Sequence, residues 1–365
     1  MQFIETDTLR EWLENGRPVT VLDVRAPEDH EEWSIPESLH VNAYERLKAG
    51  EPDALASVTL PKDRPVVTIC NAGKVSQVAA EQLRQRGIDA FPLAGGMKSW
   101  SLAWNTAELV LGNTTVVQVR RTGKGCLSYL IGSRSEALVI DASLDPAVYL
   151  RLADQHGWNI RYVLDTHVHA DHLSRSRAVA EAAGAKLLLP SQKRVRFAFT
   201  PIEDAQVIAF GNARIQAMST PGHTMESTCY DLNGQALFTG DTLFISGVGR
   251  PDLNASANKS RERAGLLYRS LKRLMEFPPD TVVLPGHTSR PIAFDLKPIC
   301  EQLGRISGRV ASWLDNEAAF VRTILERIPP TPPNFLRIVE LNEAGVMPEG
   351  DPTDLEAGAN RCAVS

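Results

Sequence analysis

No stretch of the 365 residues approaches the ~18 consecutive apolar positions that a membrane-spanning helix needs, so no membrane role is expected. The amino terminus, Met1-Gln2-Phe3-Ile4-Glu5-Thr6-Asp7, turns acidic at once and lacks a basic segment followed by an apolar one. Without such a leader, the expected location is cytoplasmic. Cysteine is scarce and scattered: Cys70, Cys126, Cys229, Cys300 and Cys362 are odd in number and never form a C-x-x-C pair. That excludes a disulfide framework and a zinc knuckle, and reduced thiols are expected. Excess positive charge is also missing. A formal net charge of -5 and a pI near 6.0 give no global attraction to nucleic acid or anionic lipid, and the cluster Lys193, Arg194, Arg196 reads as a solvated face. There is no internal repeat and no disordered block.

What is present is enough apolar residue, 43%, to bury a large core, and a length that predicts two domains. Short apolar runs at Val19 to Val24, Pro65 to Ile69 and Ala90 to Leu93 alternate with helix-like stretches, which predicts an α/β unit with a largely parallel sheet. Val75, Val78, Ala79 and Leu83 share one helical face and Gly87 stands at a C-cap position, so a helix is expected from about Ser76 to Arg86. After Trp104 the pattern changes to strand-like segments from Val116, Leu127 and Leu138, and the boundary is placed near residue 108. Residues 1–108 and 109–365 are therefore read as separate domains, the second ending in a tail from about 325. Leu267, Leu271, Leu274 and Met275 at helical spacing read as core. Pro329 to Pro333 cannot be helical and reads as a rigid connection.

The densest chemical signal is Thr166-His167-Val168-His169-Ala170-Asp171-His172, with four potential ligands in six residues. Further ligand types follow apolar runs in the same way: Gly222-His223, Gly240-Asp241 and Gly286-His287. Strand ends that open into turns can converge on one point, and imidazole with carboxylate suits Zn, Fe or Mn. Five of the eight histidines fall in this pattern, which unrelated surface histidines would not do. Arg250, on the glycine-bearing loop Gly247 to Leu253, could hold a substrate carboxylate through paired hydrogen bonds, or could form a structural salt bridge.

The order HxHxDH, GH, GD, GH resembles the metallo-β-lactamase superfamily over about residues 112 to 300. The resemblance implies an αββα sandwich and two candidate chemistries. One is that of iron persulfide dioxygenases, in which a single Fe(II) per chain would be held by His167, His223 and Asp241. His169, Asp171, His172 and His287 would then hold a second ion or orient ligands and waters. The other is that of zinc thioester hydrolases of the glyoxalase II type, with Asp241 bridging two zinc ions. Pro251-Asp252-Leu253 and the terminal Ala359-Asn360-Arg361-Cys362 resemble the dioxygenase side. Gly222-His223-Thr224-Met225-Glu226-Ser227 departs from the usual Gly-His-Thr-Pro-Gly, so the pocket shape is left open.

Cys70-Asn71-Ala72-Gly73-Lys74-Val75-Ser76 lies between an apolar run and the helix after it. A cysteine there meets backbone N–H groups and the positive end of a helix dipole; Gly73 permits a left-handed turn and Lys74 adds charge, which together cradle a thiolate or persulfide. The alternative is a small buried hydrophobe, the reading given to Cys126, Cys229 and Cys300. The loop resembles the rhodanese Cys-x-x-Gly-x-x-Ser, within a match over about residues 3 to 105 that includes Leu22-Asp23-Val24-Arg25 and Gly95-Gly96-Met97-Lys98-Ser99-Trp100. It implies a doubly wound domain in which Cys70 carries sulfane sulfur. Val75 departs from the Arg or Thr of active members.

Together these features predict an iron enzyme that oxidises a small thiol persulfide with dioxygen to sulfite, with Arg250 on the substrate and Gly73 and Lys74 around the sulfur of Cys70. The zinc hydrolase, with one or two zinc ions, and a persulfide carrier or sensor with a structural metal stand as alternatives. No nucleic-acid or membrane partner is expected, and a homo-oligomer is compatible with the sequence.

Overall fold

The computed structural model describes residues 2–364. The first unit is built on a four-stranded parallel sheet in the order Leu39–His40, Thr20–Asp23, Val66–Ile69, Ala90–Pro92. Successive side chains of a strand face opposite ways, and here both faces are covered. Leu22 and Val66 pack with Leu47 of the helix Tyr44–Lys48 and with Ala79 and Leu83 of Lys74–Gln85. Val21 and Val67 pack with Leu9 of Thr6–Glu14 and with Met97 and Trp100 of Gly96–Trp100. The result is a doubly wound α/β layer whose Cys70 follows the central strand Val66–Ile69.

The strand Asn105–Leu111, which a boundary near residue 108 would divide, is the edge of another sheet. That sheet has seven strands, from Asn105–Leu111 across to Thr200–Ile202, and it faces a six-stranded sheet running from Val207–Phe210 to Glu301–Gln302. Tyr129, Leu138, Ile140 and Leu164 of the first meet Ile215, Tyr230 and Phe238 of the second in one apolar core. The alternate residues Val139 and Val163 point outward to Tyr149, Leu152 and Val179 on the helices Pro146–Gln155 and Ser176–Ala183. On the other outer face, Leu237 and Val283 meet Leu267, Leu271 and Leu274 of the helix Ala257–Leu274. This is an αββα sandwich. Among the described residues no helix is long and apolar enough to cross a membrane.

The carboxy-terminal stretch is more structured than a tail. After the Pro329 to Pro333 connection, the helices Phe335–Ala344 and Thr353–Glu356 lie against the sandwich, and Ala363–Val364 pairs antiparallel with Val248–Gly249. The chain end is thereby sewn into the loop that carries Arg250.

Candidate metal centre

The strands Asn159–Leu164, Ala213–Ser219, Ala236–Gly240 and Val282–Pro285 end just before His167, His223, Asp241 and His287. Gly240 has φ 48°, and a Cβ there would lie 2.5 Å from Thr166 Oγ1, so a side chain would push apart two of the converging strand ends. The ligand atoms of His167, His223 and Asp241 lie within 4.8 Å of one another, and all three residues are buried. Asp241 Oδ2 is 3.9 Å from His167 Nε2 and 3.6 Å from His223 Nε2.

The surrounding hydrogen bonds decide which atoms face inward. His223 Nδ1–H donates to the carbonyl of Arg250 at 2.8 Å, so Nε2 keeps its lone pair. Thr166 Oγ1 donates to Asp141 Oδ2 at 2.9 Å and therefore accepts from His167 Nδ1 at 2.9 Å, again freeing Nε2. His287 Nδ1 donates to Asp241 Oδ1 at 2.6 Å, leaving Oδ2 open. His167 Nε2 and Asp241 Oδ2 are buried without a hydrogen-bond partner, as are His169 Nδ1, His172 Nε2 and His287 Nε2 nearby. Buried polar atoms are normally paired, so convergent, unsatisfied donor pairs of this kind fit a cation. Electrostatics agrees. Burial, with the neighbouring His169, drives the His167 imidazole well below its ordinary value, and burial likewise lowers His223, so both rings stay neutral. Burial alone would raise Asp241, but the charge and hydrogen bond of His287 outweigh it and keep the carboxylate ionised.

The other expected ligand types form two further groups. Asp171, His172 and His287 gather with Cys126, their ligand atoms within 4.8 Å of one another. His287 Nε2 lies 2.7 Å from Asp171 Oδ2, and His172 Nδ1 lies 3.1 Å from Asp171 Oδ1. Burial disfavours the His172 cation, but Asp171 and Cys126 push its pKa up to about 10. His169 gives its Nε2 to Asp141 Oδ1 at 3.2 Å, with Asp165 beside them, while its Nδ1 is buried without a hydrogen-bond partner and its ring centroid lies 4.3 Å from that of His167.

Two cavities reach this centre. One of about 360 Å³ has His167 and His169 in its wall and mixes apolar side chains such as Leu189, Phe197 and Met347 with the charged Asp165, Arg175, Arg177, Glu181 and Glu226. The other, about 140 Å³, is lined by His223, Arg194, Arg263 and Met225. Glu226, one of the residues that replaces the usual Pro-Gly, belongs to both walls: it accepts the Val168 N–H at 3.2 Å and pairs with Arg194 at 2.9 Å. Arg194 also binds Glu343 at 2.8 Å, so this member of the basic cluster is a bridge rather than part of a solvated face.

Arg250 does not fit the expected substrate-holding role. Its guanidinium is fully buried and gives Nε and Nη2 to Asp252 at 2.8 Å each and Nη1 to the carbonyls of Pro330 and Arg361. It is a cross-brace for the loop and the chain end. Cys126, expected to be inert packing, has its thiol 3.4 Å from Asp171 Oδ2; burial and Asp171 oppose ionisation, but His172 outweighs them and brings it to about 6. Cys362 is buried among the same carboxylates, and that burial with Asp241 and Asp171 holds its thiol protonated. Cys229 sits in the core, its thiol pushed by burial up to about 11. Asn342 and Glu356 were not singled out in sequence, and Asn360 only as part of the terminal Ala359-Asn360-Arg361-Cys362, yet all three hold the HxHxDH loop. Asn342 Nδ2 donates to the carbonyls of His169 and His172 at 2.8 and 2.9 Å, and Asn360 Nδ2 donates to Asp171 Oδ2 at 2.8 Å. Only their partners, more than 150 positions earlier, give them meaning.

At Cys70 the sulfur accepts the Ser76 N–H at 3.3 Å, and Ser76 Oγ lies 3.5 Å away. Gly73 has φ 80° and Gly96 φ 59°; a Cβ on Gly96 would lie 2.2 Å from the Cys70 carbonyl oxygen. Lys74 is exposed at the start of its helix, while Val75 is buried with Cys70, Ala79 and Leu83.

Known proteins place these features. Residues 5–103 match the rhodanese-like domain and residues 121–287 the metallo-beta-lactamase superfamily. The chain is 37% identical over 168 residues to a hydroxyacylglutathione hydrolase of Polaromonas sp., covering 44% of this chain and 61% of that one. It is 32% identical over 165 residues to the human mitochondrial persulfide dioxygenase ETHE1, covering 44% and 63%. The chain spans about three fifths of the length of these relatives. Among solved structures, ETHE1 from Myxococcus xanthus aligns with a TM-score of 0.53 at 27% identity over 67% of this chain and 100% of that one. A metallo-beta-lactamase from Staphylococcus aureus subsp. aureus COL aligns with a TM-score of 0.59 at 26% identity over 66% and 76%. The chain joins a rhodanese-like domain to a domain of the metallo-beta-lactamase superfamily.

Proposed function

We propose that this protein is an iron-dependent dioxygenase that converts a small thiol persulfide to sulfite, with Cys70 carrying sulfane sulfur in the attached domain. The balanced reaction is RSSH + O₂ + H₂O giving RSH and sulfurous acid, which ionises to sulfite. The observation that carries this reading is the three-donor set of His167 Nε2, His223 Nε2 and Asp241 Oδ2, with Asp241 Oδ1 already bound to His287. Two histidines and one carboxylate would hold a single Fe(II) with positions open to dioxygen and to the persulfide sulfur.

The chain's own residues do the rest. Thr166 and the Arg250 carbonyl fix the tautomers of His167 and His223, and His287 holds Asp241 ionised. The cavity of about 360 Å³ beside His167 takes the thiol, with Leu189, Phe197 and Met347 limiting its contact with water and Arg175 and Arg177 in the same wall. With Arg250 fully engaged and Arg194 bridging Glu226 and Glu343, Arg263 in the wall of the second cavity, held among the described residues only through Nη1 to the Leu253 carbonyl, is the cation left to meet a polar substrate end. At Cys70, a bound persulfide passes its outer sulfur to sulfite, giving thiosulfate and restoring the thiolate, which the Ser76 N–H steadies.

A second reading has its own support. The group Cys126, Asp171, His172 and His287 could hold a second ion, as a zinc thioester hydrolase would require, and Polaromonas sp. supplies a relative named as a hydrolase. Oxygen consumption and sulfite formation from glutathione persulfide, compared between iron-loaded and zinc-loaded protein, test the two. Oxygen uptake with iron that is abolished in His223→Ala is the expected result. Two zinc ions per chain with thioester hydrolysis and no oxygen uptake would overturn the dioxygenase.

A further inference from the structure

The metal-facing oxygen of Asp241 is the end of a longer chain of contacts. Asp241 Oδ1 meets His287 Nδ1 at 2.6 Å, His287 Nε2 lies 2.7 Å from Asp171 Oδ2, and that same oxygen accepts Asn360 Nδ2–H at 2.8 Å. Asn360 is itself held one way round. Its Oδ1 accepts the Cys362 N–H at 2.8 Å, so the amide nitrogen must face Asp171. The segment that presents Asn360 is anchored in two places. On the sandwich, the fully buried Glu356 takes both Arg121 and Arg175, and accepts the Leu173 N–H at 2.6 Å. On the rhodanese-like domain, Lys98 Nζ lies 2.5 Å from Asp354 and 3.4 Å from Asp351, and Arg361 pairs with Glu32. Lys98 is no remote anchor: its N–H donates to the Asn71 carbonyl at 2.9 Å, in the loop beside Cys70. Between this segment and the Cys70 loop lies a cavity of about 380 Å³ lined by Asn71, Ala72 and Lys98 on one side and Thr353, Ala357 and Gly358 on the other.

We propose that Asn360 is a positioning residue for the metal centre, presented by a chain end that the rhodanese-like domain helps to hold. A neutral amide donor fixes Asp171 without adding charge. Asp171 fixes His287, and His287 sets the rotation of Asp241 so that Oδ2 faces the two imidazoles. Deleting the donor leaves Asp171 to His172 Nδ1 and the Cys126 thiol, so that Oδ2 shifts and the error passes along the chain to a ligand. Releasing the segment at Lys98 loosens the same chain from the other domain.

The proposal rests on the metal-centre part of the function above but not on the oxygenase reaction, because it is read with zinc and cobalt in the absence of substrate. In the full-length protein, Zn(II) affinity is measured by competition with a chelator, and the visible bands of the Co(II) form report ligand geometry. Asn360→Leu, similar in size but without the amide, is expected to weaken zinc binding about ten- to a hundredfold and to shift the Co(II) bands. Sulfur transfer from thiosulfate at Cys70 checks that the variant is folded. Lys98→Glu, which touches no metal-centre residue and sets like charges against Asp351 and Asp354, is expected to shift both readouts in the same direction by about threefold. Wild-type zinc affinity and Co(II) spectrum in Asn360→Leu would overturn the positioning role. The same null result in Lys98→Glu would overturn the contribution of the other domain. If these shifts occur while iron-loaded protein consumes no oxygen, the positioning role stands and the dioxygenase falls.

Discussion

The Cys70 loop and the metal centre are both strand-end loops, yet they are built from opposite materials. Around the Cys70 sulfur the contacts are mostly local: Gly73, Ser76 and the Gly95-Gly96-Met97 turn supply backbone donors and close approach within about thirty residues of chain, with Asp29 on Asn71 the charged group brought from further away. The metal centre instead gathers ionised and neutral rings from four strand ends, and it is held by residues near the chain's other end, Asn342, Glu356 and Asn360. A neutral loop can be steadied by its own backbone, whereas buried charges must be matched one by one by partners brought from elsewhere. The first site should therefore fail only to changes within its own loop, and the second should fail to distant ones.

The largest expected separation comes from Asp241→Asn. Losing the carboxylate removes one of three donors and leaves the His287 cation without one of its two acids, so metal affinity should fall more than about a hundredfold, beyond the range for outer partners. Metal analysis after dialysis checks this, and unaltered sulfur transfer at Cys70 checks the independence of the two sites. Glu356→Gln comes next. It leaves Arg121 and Arg175 sharing an uncharged partner in a fully buried position, and breaking such a pair costs about 3–5 kcal/mol. Urea unfolding measures it.

Glu356 also gives the comparison a pH axis. Burial raises its pKa, but Arg121 and Arg175 outweigh burial and bring it from 4.5 down to about 2. Because the folded value is the depressed one, this stabilisation is complete above pH 4.5 and is lost as pH falls toward about 2. Acid unfolding between those limits should therefore be blunted in Glu356→Gln relative to wild type. An unchanged pH profile would detach Glu356 from the stability of the metal half.

How far each half was legible in the sequence follows from the same contrast. The Cys70 loop could be read almost whole, because Gly73, Lys74 and Ser76 are its neighbours in sequence and the strand–loop–helix pattern places them. The ligand types of the metal centre were equally visible, since each follows an apolar run that becomes a strand. Periodicity could not show how those ligands are partitioned. His169 goes to Asp141 and Cys126 joins Asp171 because of rotamers and backbone pairing across sheets, such as the bridge between Cys126 and His287. Of the two readings open for Arg250, the structure shows the salt bridge for a related reason. A loop arginine beside a metal ligand suggests a free guanidinium, and only the returning chain end, with the carbonyls of Pro330 and Arg361, reveals that it is spent.

Gly96→Ala tests the locality of the sulfur loop. With φ 59° and a Cβ position 2.2 Å from the Cys70 carbonyl, even a methyl group must displace the loop, at about 1–3 kcal/mol. Sulfur transfer from thiosulfate should drop with zinc affinity unchanged. A parallel loss of zinc would show the two sites to be more tightly joined than their materials suggest.

The smallest effect is expected at Val75, where active rhodanese loops carry Arg or Thr. Its side chain is packed in the apolar cluster with Cys70, Ala79 and Leu83, so it supports the helix start from below. Val75→Thr keeps the branched shape and adds a hydroxyl to that cluster, which costs about 1–2 kcal/mol in unfolding experiments. The Ser76 N–H and hydroxyl facing the sulfur are left in place by this change, so the rate of transfer from thiosulfate should stay within about twofold of wild type. A large gain in rate with threonine would mean that residue 75 itself reaches the sulfur or its acceptor, and Ser76 would no longer be the side that steadies it.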